Sequence, residues 1–142
     1  MAICLLWAPR AATAQFTLSK LVLDESTYPD ADYGSVIASD GDRILVSDES
    51  LYVIYVFDFD GSTWVESGVL EMPPEDNIYN TYGGPVFGSA VALDGDRVVI
   101  GNYHDHTRMD GAGSVYVFEL RDGEWQQTAK LFASDLGTRQ KP

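Results

Sequence analysis

The sequence predicts an all-β chain made of two copies of one four-stranded antiparallel sheet. Residues 33–46 align without a gap on residues 87–100, so the chain contains an internal repeat. The Asp-Gly pairs at 40–41 and 94–95 lie between apolar runs, which is typical of tight hairpins with positive φ at the turn. No segment shows sustained helical periodicity, so strands are expected throughout.

The repeat continues beyond the first pair of strands. Residues 53–57 and 60–64 match residues 114–118 and 121–125, and the loop from Gly101 to Gly113 is longer than its counterpart from Ser47 to Leu51. The Asp-Gly pairs at 60–61 and 122–123 mark a further turn in each copy. The predicted strands are 35–38, 43–47, 52–57 and 63–70 in the first copy, and 89–93, 97–101, 114–120 and 124–132 in the second.

Several of these strands are apolar at every position, namely 53–57, 98–100 and 115–118. An antiparallel sheet with one face in water alternates apolar and polar residues, so both faces of these sheets are expected to be covered. Stacked four-stranded sheets, the blades of a β-propeller, meet this requirement. A two-layer sandwich is the alternative, although its outer faces would be polar.

The order of motifs in the second copy resembles that of a known repeat. It reads Phe87-Gly88-Ser89-Ala90-Val91-Ala92, a turn, Val98-Val99-Ile100-Gly101, an acidic loop, Gly113-Ser114-Val115-Tyr116-Val117-Phe118, Trp125 and Lys130-Leu131. This order resembles the FG-GAP repeat, the blade unit of the integrin α-subunit propeller, over about residues 16–135. Tyr33-Gly34 is a variant of the Phe-Gly corner, and Lys20-Leu21-Val22-Leu23 matches the last strand of a preceding blade. The resemblance implies an incomplete propeller of two blades plus one extra strand.

These boundaries divide the chain into six parts. Residues 1–14 are expected to be a signal peptide or a disordered tail, and 15–32 the last strand of a preceding blade with its linker. Residues 33–72 form blade 1, 73–86 an inter-blade loop, 87–135 blade 2 and 136–142 a disordered tail. Ala12-Thr13-Ala14 has the form of a signal-peptidase site, but no Lys or Arg precedes the short apolar run.

The chain is strongly acidic. Its 142 residues include 22 Asp and Glu against 9 Lys and Arg, which gives a formal net charge of −13. Such a surface repels nucleic acid and anionic membranes, and no segment predicts membrane insertion. Because Cys4 is the single cysteine, an intrachain disulfide and a cysteine-based zinc site are excluded.

The resemblance suggests calcium, but the sequence departs from it at the relevant loop. Integrin-type repeats that bind calcium carry an Asp-rich loop between the first two strands, whereas this chain has only Asp40-Gly41-Asp42 and Asp94-Gly95-Asp96. Calcium takes six to eight oxygen ligands, which so short a turn does not supply. No cofactor is therefore expected, and these turns with Arg43 and Arg97 are interpreted as solvated hairpin ends.

The longer loop of the second copy contains the densest polar cluster. His104, Asp105, His106 and Asp110 are weak candidate ligands for zinc or calcium, and a plain exposed loop that contacts a partner is the favoured interpretation. A second hypothesis is a pair of catalytic acids among Asp58, Asp60, Asp76, Asp105 and Asp110. No defined spacing supports such a pair, so these carboxylates are interpreted as aids to solubility.

Aromatic residues predict packing at some positions and recognition at others. Trp64 and Trp125 occupy equivalent places, which favours packing between blades. Tyr79 and Tyr82 lie in the Tyr-, Asn- and Gly-rich connection between the copies, which is typical of adaptable binding loops. Together with Tyr103 and His104 they are the candidate residues for binding a protein or glycan partner.

The function that the resemblance implies is that of a non-enzymatic, extracellular interaction or adhesion module. The first alternative is a fragment or subunit of a propeller hydrolase or lyase, which a catalytic pair within Asp105 and Asp110 would favour. The second is a structural repeat that assembles into a ring. Two blades expose apolar faces and strand edges, so the chain is expected to self-associate, to aggregate or to belong to a longer propeller.

Overall fold

The described part of the chain forms two four-stranded antiparallel sheets in sequence order. The computed structural model describes residues 33–78, 84–109 and 111–134. The first sheet contains β1 (Tyr33–Asp40), β2 (Arg43–Asp48), β3 (Val53–Phe59) and β4 (Trp64–Glu71). The second contains β5 (Phe87–Asp94), β6 (Arg97–Asn102), β7 (Ser114–Arg121) and β8 (Glu124–Leu131).

The predicted fold class is confirmed: the chain is all-β, and its two sheets are those expected of about two propeller blades. Each predicted strand is present, with ends that differ by at most two residues. Within the described ranges the one helical element is a 3-10 turn, Pro74–Asp76, and none is long and apolar enough to cross a bilayer. The expectations for residues 1–32 and 136–142 lie outside the described residues.

The hairpin turns differ in their geometry. Asp40 pairs with Arg43, so the turn residues are Gly41 and Asp42, and only the glycine has positive φ, at 56°. The prediction that the Asp-Gly pair itself forms the centre of this turn is therefore wrong by one residue, and the same shift applies at Gly95. Asp122 and Gly123 do form a turn centre, with φ of 53° and 83°, as a type I′ hairpin requires.

The two sheets pack face to face around one apolar core. The first sheet contributes four side chains exposed by 1 % or less: Leu45, Ile54, Val56 and Leu70. The second sheet contributes Phe87, Val98, Ile100, Tyr116 and Phe118. Burial of an aliphatic or aromatic side chain of this size stabilises a fold by about 1.5–3 kcal/mol, so this interface holds the sheets together.

The internal repeat extends to the pairing of the strands. Leu45 pairs with Val56 in the first sheet, and the equivalent Val99 pairs with Val117 in the second. Each sheet also has an irregularity between its third and fourth strands, after Val56 and after Val117. The two sheets are therefore equivalent residue by residue, and differences between them reflect side chains rather than topology.

Candidate functional site

The loop from Tyr103 to Gly113, between β6 and β7, presents an aromatic pair to solvent. The Tyr103 side chain is 59 % exposed, and its ring centroid lies 4.6 Å from that of the partly buried His104. The ring of His106 lies 5.8 Å beyond that of His104. The structure thus brings together Tyr103 and His104, two of the four residues predicted to bind a partner.

Asp105 follows this aromatic pair and is fully buried, with 0 % exposure. Its Oδ1 atom accepts hydrogen bonds from the backbone N–H of Thr107 at 2.7 Å and from the Thr107 hydroxyl at 2.5 Å. Its Oδ2 atom accepts a hydrogen bond from the Ser114 hydroxyl at 2.6 Å. The backbone N–H of Gly113 also donates to the Asp105 carbonyl at 3.3 Å. Asp105 therefore links the beginning of the loop, at Thr107, to its end, at Gly113 and Ser114.

Lys130, on β8, joins this carboxylate to a second one. Its Nζ atom lies 2.8 Å from Asp105 Oδ2 and 2.7 Å from Oδ1 of Asp76, which belongs to the 3-10 turn between the sheets. The Tyr116 hydroxyl donates to Asp76 at 2.8 Å and to Asp105 at 3.2 Å. We call Asp76, Asp105, Tyr116 and Lys130 the buried anchor, since it connects the loop, the inter-sheet segment and two strands.

The electrostatics of the buried anchor favour its charged state. Burial disfavours ionisation of Asp105, but hydrogen bonds from Lys130 and from two hydroxyl groups outweigh burial and hold the pKa of Asp105 well below its usual value. Burial likewise opposes the charge on Lys130, yet its hydrogen bonds to both carboxylates raise its pKa. Burial raises the pKa of Tyr116 to about 12, and Lys130 opposes that rise. Tyr116 is therefore a neutral hydrogen-bond donor at neutral pH.

The interpretation of the carboxylates as aids to solubility is wrong for Asp76 and Asp105, because both are buried and paired. Sequence reasoning also missed Lys130 and Tyr116 as their partners. One signal was available: the charged Lys130 stands where the first copy has the apolar Val69. The anchor residue Asp76 gave no such signal, because it lies in the segment between the copies.

The weak metal candidates occupy different environments. Asp105 is engaged by the lysine and hydroxyl donors described above, and His106 Nδ1 accepts a hydrogen bond from the Gly111 N–H at 2.9 Å. Asp110 lies outside the described residues, as do Tyr79 and Tyr82 from the predicted binding loop. The described ranges contain no group of three His, Cys, Asp or Glu side chains that could hold a metal ion.

A second polar cluster joins the two sheets. Arg43 binds Asp58 through two nitrogens, at 2.7 and 3.2 Å, and reaches across to the Gly95 carbonyl at 3.2 Å and the Asp96 carboxylate at 3.1 Å. The hydrogen bond from Arg43 lowers the pKa of Asp58. The interpretation of Arg43 as a solvated neighbour is therefore wrong, since its side chain is only 19 % exposed and bridges the sheets.

The tryptophan at the end of the second sheet packs between the sheets. The Arg43 guanidinium lies 5.2 Å from the ring centroid of Trp125, and a Cβ atom on Gly68 would lie 3.1 Å from this ring. The prediction of inter-blade packing is confirmed for Trp125. Trp64, its equivalent, contacts Phe59 within the first sheet, at 5.3 Å between ring centroids.

Comparison with known proteins identifies the repeat. The family model of the FG-GAP repeat matches residues 81–118, which include β5, β6, the loop with Tyr103 and the first five residues of β7. No curated protein and no solved structure matches the chain. The matched segment forms three strands of one four-stranded sheet, and the other sheet repeats its pairing. Residues 81–118 therefore match the FG-GAP repeat, and the two four-stranded sheets are consistent with about two blades of a propeller-type repeat domain.

Proposed function

We propose that the chain is a non-enzymatic interaction or adhesion module that acts outside the cell and binds a protein or glycan through the β6–β7 loop. The observation that carries this proposal is the exposed ring of Tyr103 beside a buried, fully paired Asp105. Tyrosine supplies a large contact area with few rotatable bonds and is enriched among residues that dominate binding energy.

The buried anchor supports this role because it restrains the loop before any partner arrives. Loop ordering upon binding opposes affinity, so a loop held at both ends by Asp105 loses less entropy when it binds. The same anchor ties the loop to Asp76 and Lys130, which belong to the framework rather than to the loop. Tyr103 and His104 are therefore presented from a rigid base.

Binding to arrays of extracellular matrix proteins and glycans tests the proposal. We expect wild-type protein to bind at least one arrayed ligand, and Tyr103→Ala to weaken that binding at least tenfold, about 1.4 kcal/mol. Met109→Ala is the matched control, because Met109 is 46 % exposed on the same loop but lies outside the aromatic pair. We expect this control to bind within about twofold of wild type.

Two outcomes would contradict the proposal. One is the absence of binding by the wild-type protein across both arrays. The other is a ligand that binds Tyr103→Ala and wild type equally, since the exposed ring would then contribute nothing. Thermal melts of both variants accompany the arrays, and we expect them to match wild type because both side chains are exposed.

A further inference from the structure

The turn between β7 and β8 holds an aspartate in a left-handed backbone conformation, which is uncommon outside glycine. Asp122 and Gly123 form the centre of this two-residue hairpin, with φ of 53° and 83°, and both residues are exposed. The sequence Asp-Gly is chemically labile because the glycine has no β-carbon to hinder reaction between its backbone nitrogen and the preceding side chain. The described ranges contain four such pairs, at 40–41, 60–61, 94–95 and 122–123.

The reaction in question converts aspartate to isoaspartate. The glycine nitrogen attacks the carboxyl carbon of the protonated aspartate, a carbon–nitrogen bond forms, and the carboxyl hydroxyl leaves as water with the proton of the N–H. Water then opens the resulting succinimide ring at either carbonyl. One product is aspartate, and the other is isoaspartate, in which the main chain runs through the side-chain carboxyl carbon. The net change is an isomerisation, so water is the only reactant that the chain does not supply.

Hydrogen bonds restrain the Asp-Gly pair in the equivalent turn of the first sheet. Oδ1 of Asp60 accepts hydrogen bonds from the backbone N–H of Ser62 at 2.8 Å and of Thr63 at 2.9 Å, and from the Ser62 hydroxyl at 2.9 Å. The bonds from the Thr63 and Ser62 backbone also lower the pKa of Asp60, which disfavours the protonated form that reacts. Ring closure at Asp60 therefore requires that several hydrogen bonds break first.

The pairs at 40–41 and 94–95 restrain each other across the two sheets. Oδ2 of Asp40 accepts a hydrogen bond from the backbone N–H of Gly95 at 2.8 Å. This bond holds the Asp40 side chain away from its own glycine. It also engages the nitrogen that would attack Asp94. Both pairs are therefore protected as long as the sheets remain packed.

The pair at 122–123 has no such restraint. Within the described ranges, neither the Asp122 carboxylate nor the Gly123 N–H has a hydrogen-bond partner. The turn also joins β8, the outermost strand of the second sheet, so local opening there breaks pairing with one neighbouring strand alone. We propose that Asp122 is a site of spontaneous isoaspartate formation in the folded protein, where it reacts faster than the other described Asp-Gly pairs.

Modification of this turn acts on contacts between the sheets. Isoaspartate adds one main-chain carbon to a hairpin whose length fixes the pairing of Arg121 with Glu124. The β8 strand that follows carries Trp125, whose ring centroid lies 5.2 Å from the Arg43 guanidinium on the first sheet. It also carries Lys130, the cation of the buried anchor. Isomerisation at Asp122 therefore weakens the attachment of β8 to the rest of the fold.

Ageing of the wild-type protein tests the choice of site. Protein is incubated at neutral pH, folded in buffer and unfolded in urea, and isoaspartate at each pair is measured by mass spectrometry with electron-transfer fragmentation. In urea we expect similar rates at the four pairs, because glycine follows each aspartate. In the folded protein we expect Asp122 to react at least tenfold faster than Asp60, the factor that about 1.4 kcal/mol of hydrogen bonding produces. The proposal is overturned if another described pair reacts as fast as Asp122, or if folding protects Asp122 as much as Asp60.

Two asparagine variants provide a second, faster measurement. Asparagine forms the same ring with loss of ammonia, so conversion changes the intact mass of the protein. Asp122→Asn should fold normally, because Asn-Gly is a preferred pair for this hairpin. Asp60→Asn is the matched control, since its amide oxygen can accept the hydrogen bonds from Ser62 and Thr63. We expect the folded Asp122→Asn variant to convert at least tenfold faster than Asp60→Asn, and equal rates would overturn the proposal.

The structural effect is tested on the modified protein itself. Aged wild type is separated by anion exchange, and urea unfolding compares the isoaspartate fraction with the unmodified one. We expect the modified fraction to unfold at a lower urea concentration, and an unchanged midpoint would overturn the assigned effect on β8. Asp122→Glu, which cannot form the five-membered ring, should keep its midpoint through the same incubation. The inference does not rest on ligand binding by Tyr103, so either can fail without the other.

Discussion

Substitution of Gly88 by alanine isolates the role of the Phe-Gly corner in joining the sheets. Gly88 has a φ of 94°, and an added Cβ would lie 3.0 Å from Ile54 Cδ1 and 3.2 Å from Ser47 Cβ, both on the first sheet. Ile54 is fully buried, and the Ser47 Cβ is fixed to its strand, so neither atom yields easily. Gly34 is the equivalent glycine, with a φ of 84° and no atom of the described residues within 4 Å of an added Cβ.

The comparison of the two glycines separates backbone strain from the clash. A left-handed backbone costs alanine about 1–2 kcal/mol at either position. Overpacking against the first sheet adds about 1–3 kcal/mol at Gly88 alone. We therefore expect Gly34→Ala to lower the free energy of unfolding by about 1–2 kcal/mol and Gly88→Ala by about 2–5 kcal/mol.

Equilibrium unfolding in urea measures both variants against wild type, at a concentration low enough to keep the chain monomeric. The reasoning is refuted if Gly88→Ala is no less stable than Gly34→Ala. The close contact between the Phe87-Gly88 corner and the first sheet would then not contribute to stability.

The buried anchor leads to three further predictions. Lys130→Met leaves Asp76 and Asp105 without their cation, so we expect a loss of about 3–5 kcal/mol in urea unfolding, whereas Arg108→Met at an exposed position should cost less than about 0.5 kcal/mol. The pKa of Asp105 is lower in the folded state than in the unfolded chain, so its contribution to stability is present above about pH 4 and is lost as the pH falls further. The free energy of unfolding should therefore fall less steeply with decreasing pH in Asp105→Asn than in wild type. An unchanged slope would contradict the lowered pKa of Asp105. The pKa of Tyr116 is raised to about 12, so wild type should lose stability as the pH rises from about 10 to 12, and Tyr116→Phe should lose less when stability is followed by circular dichroism.

Much of the fold follows from local patterns in the sequence. The apolar runs at 53–57 and 115–118 and the Asp-Gly turns predicted eight strands in the correct order, because strand pairing across a tight hairpin involves neighbouring residues. The repeat also predicted the place of Trp125 between the sheets. The error of one residue at Gly41 arose because the Asp-Gly pair has two ways to occupy a two-residue hairpin, and only the pairing of Asp40 with Arg43 distinguishes them.

The candidate site was much less predictable. Tyr103 and His104 were identified from their place in the longer loop, and the structure places their ring centroids 4.6 Å apart, while their role in binding stays a prediction. Asp76 and Lys130 are far apart in sequence and have no motif in common, so their ion pair was invisible before the sheets were packed. A predominantly acidic composition also hid the buried carboxylates of Asp76 and Asp105 among many exposed ones.

The sequence by itself determined the all-β class, the duplicated four-stranded unit and the FG-GAP repeat, since each depends on periodicity and spacing along the chain. Only the tertiary structure decided which charged groups are buried and which sheet face is covered. The two sheets have the same pairing but different neighbours on their equivalent faces, so Leu45 is fully buried while its equivalent Val99 is partly exposed. Burial is a property of what packs against a residue, and that partner is not encoded in the residue's local sequence.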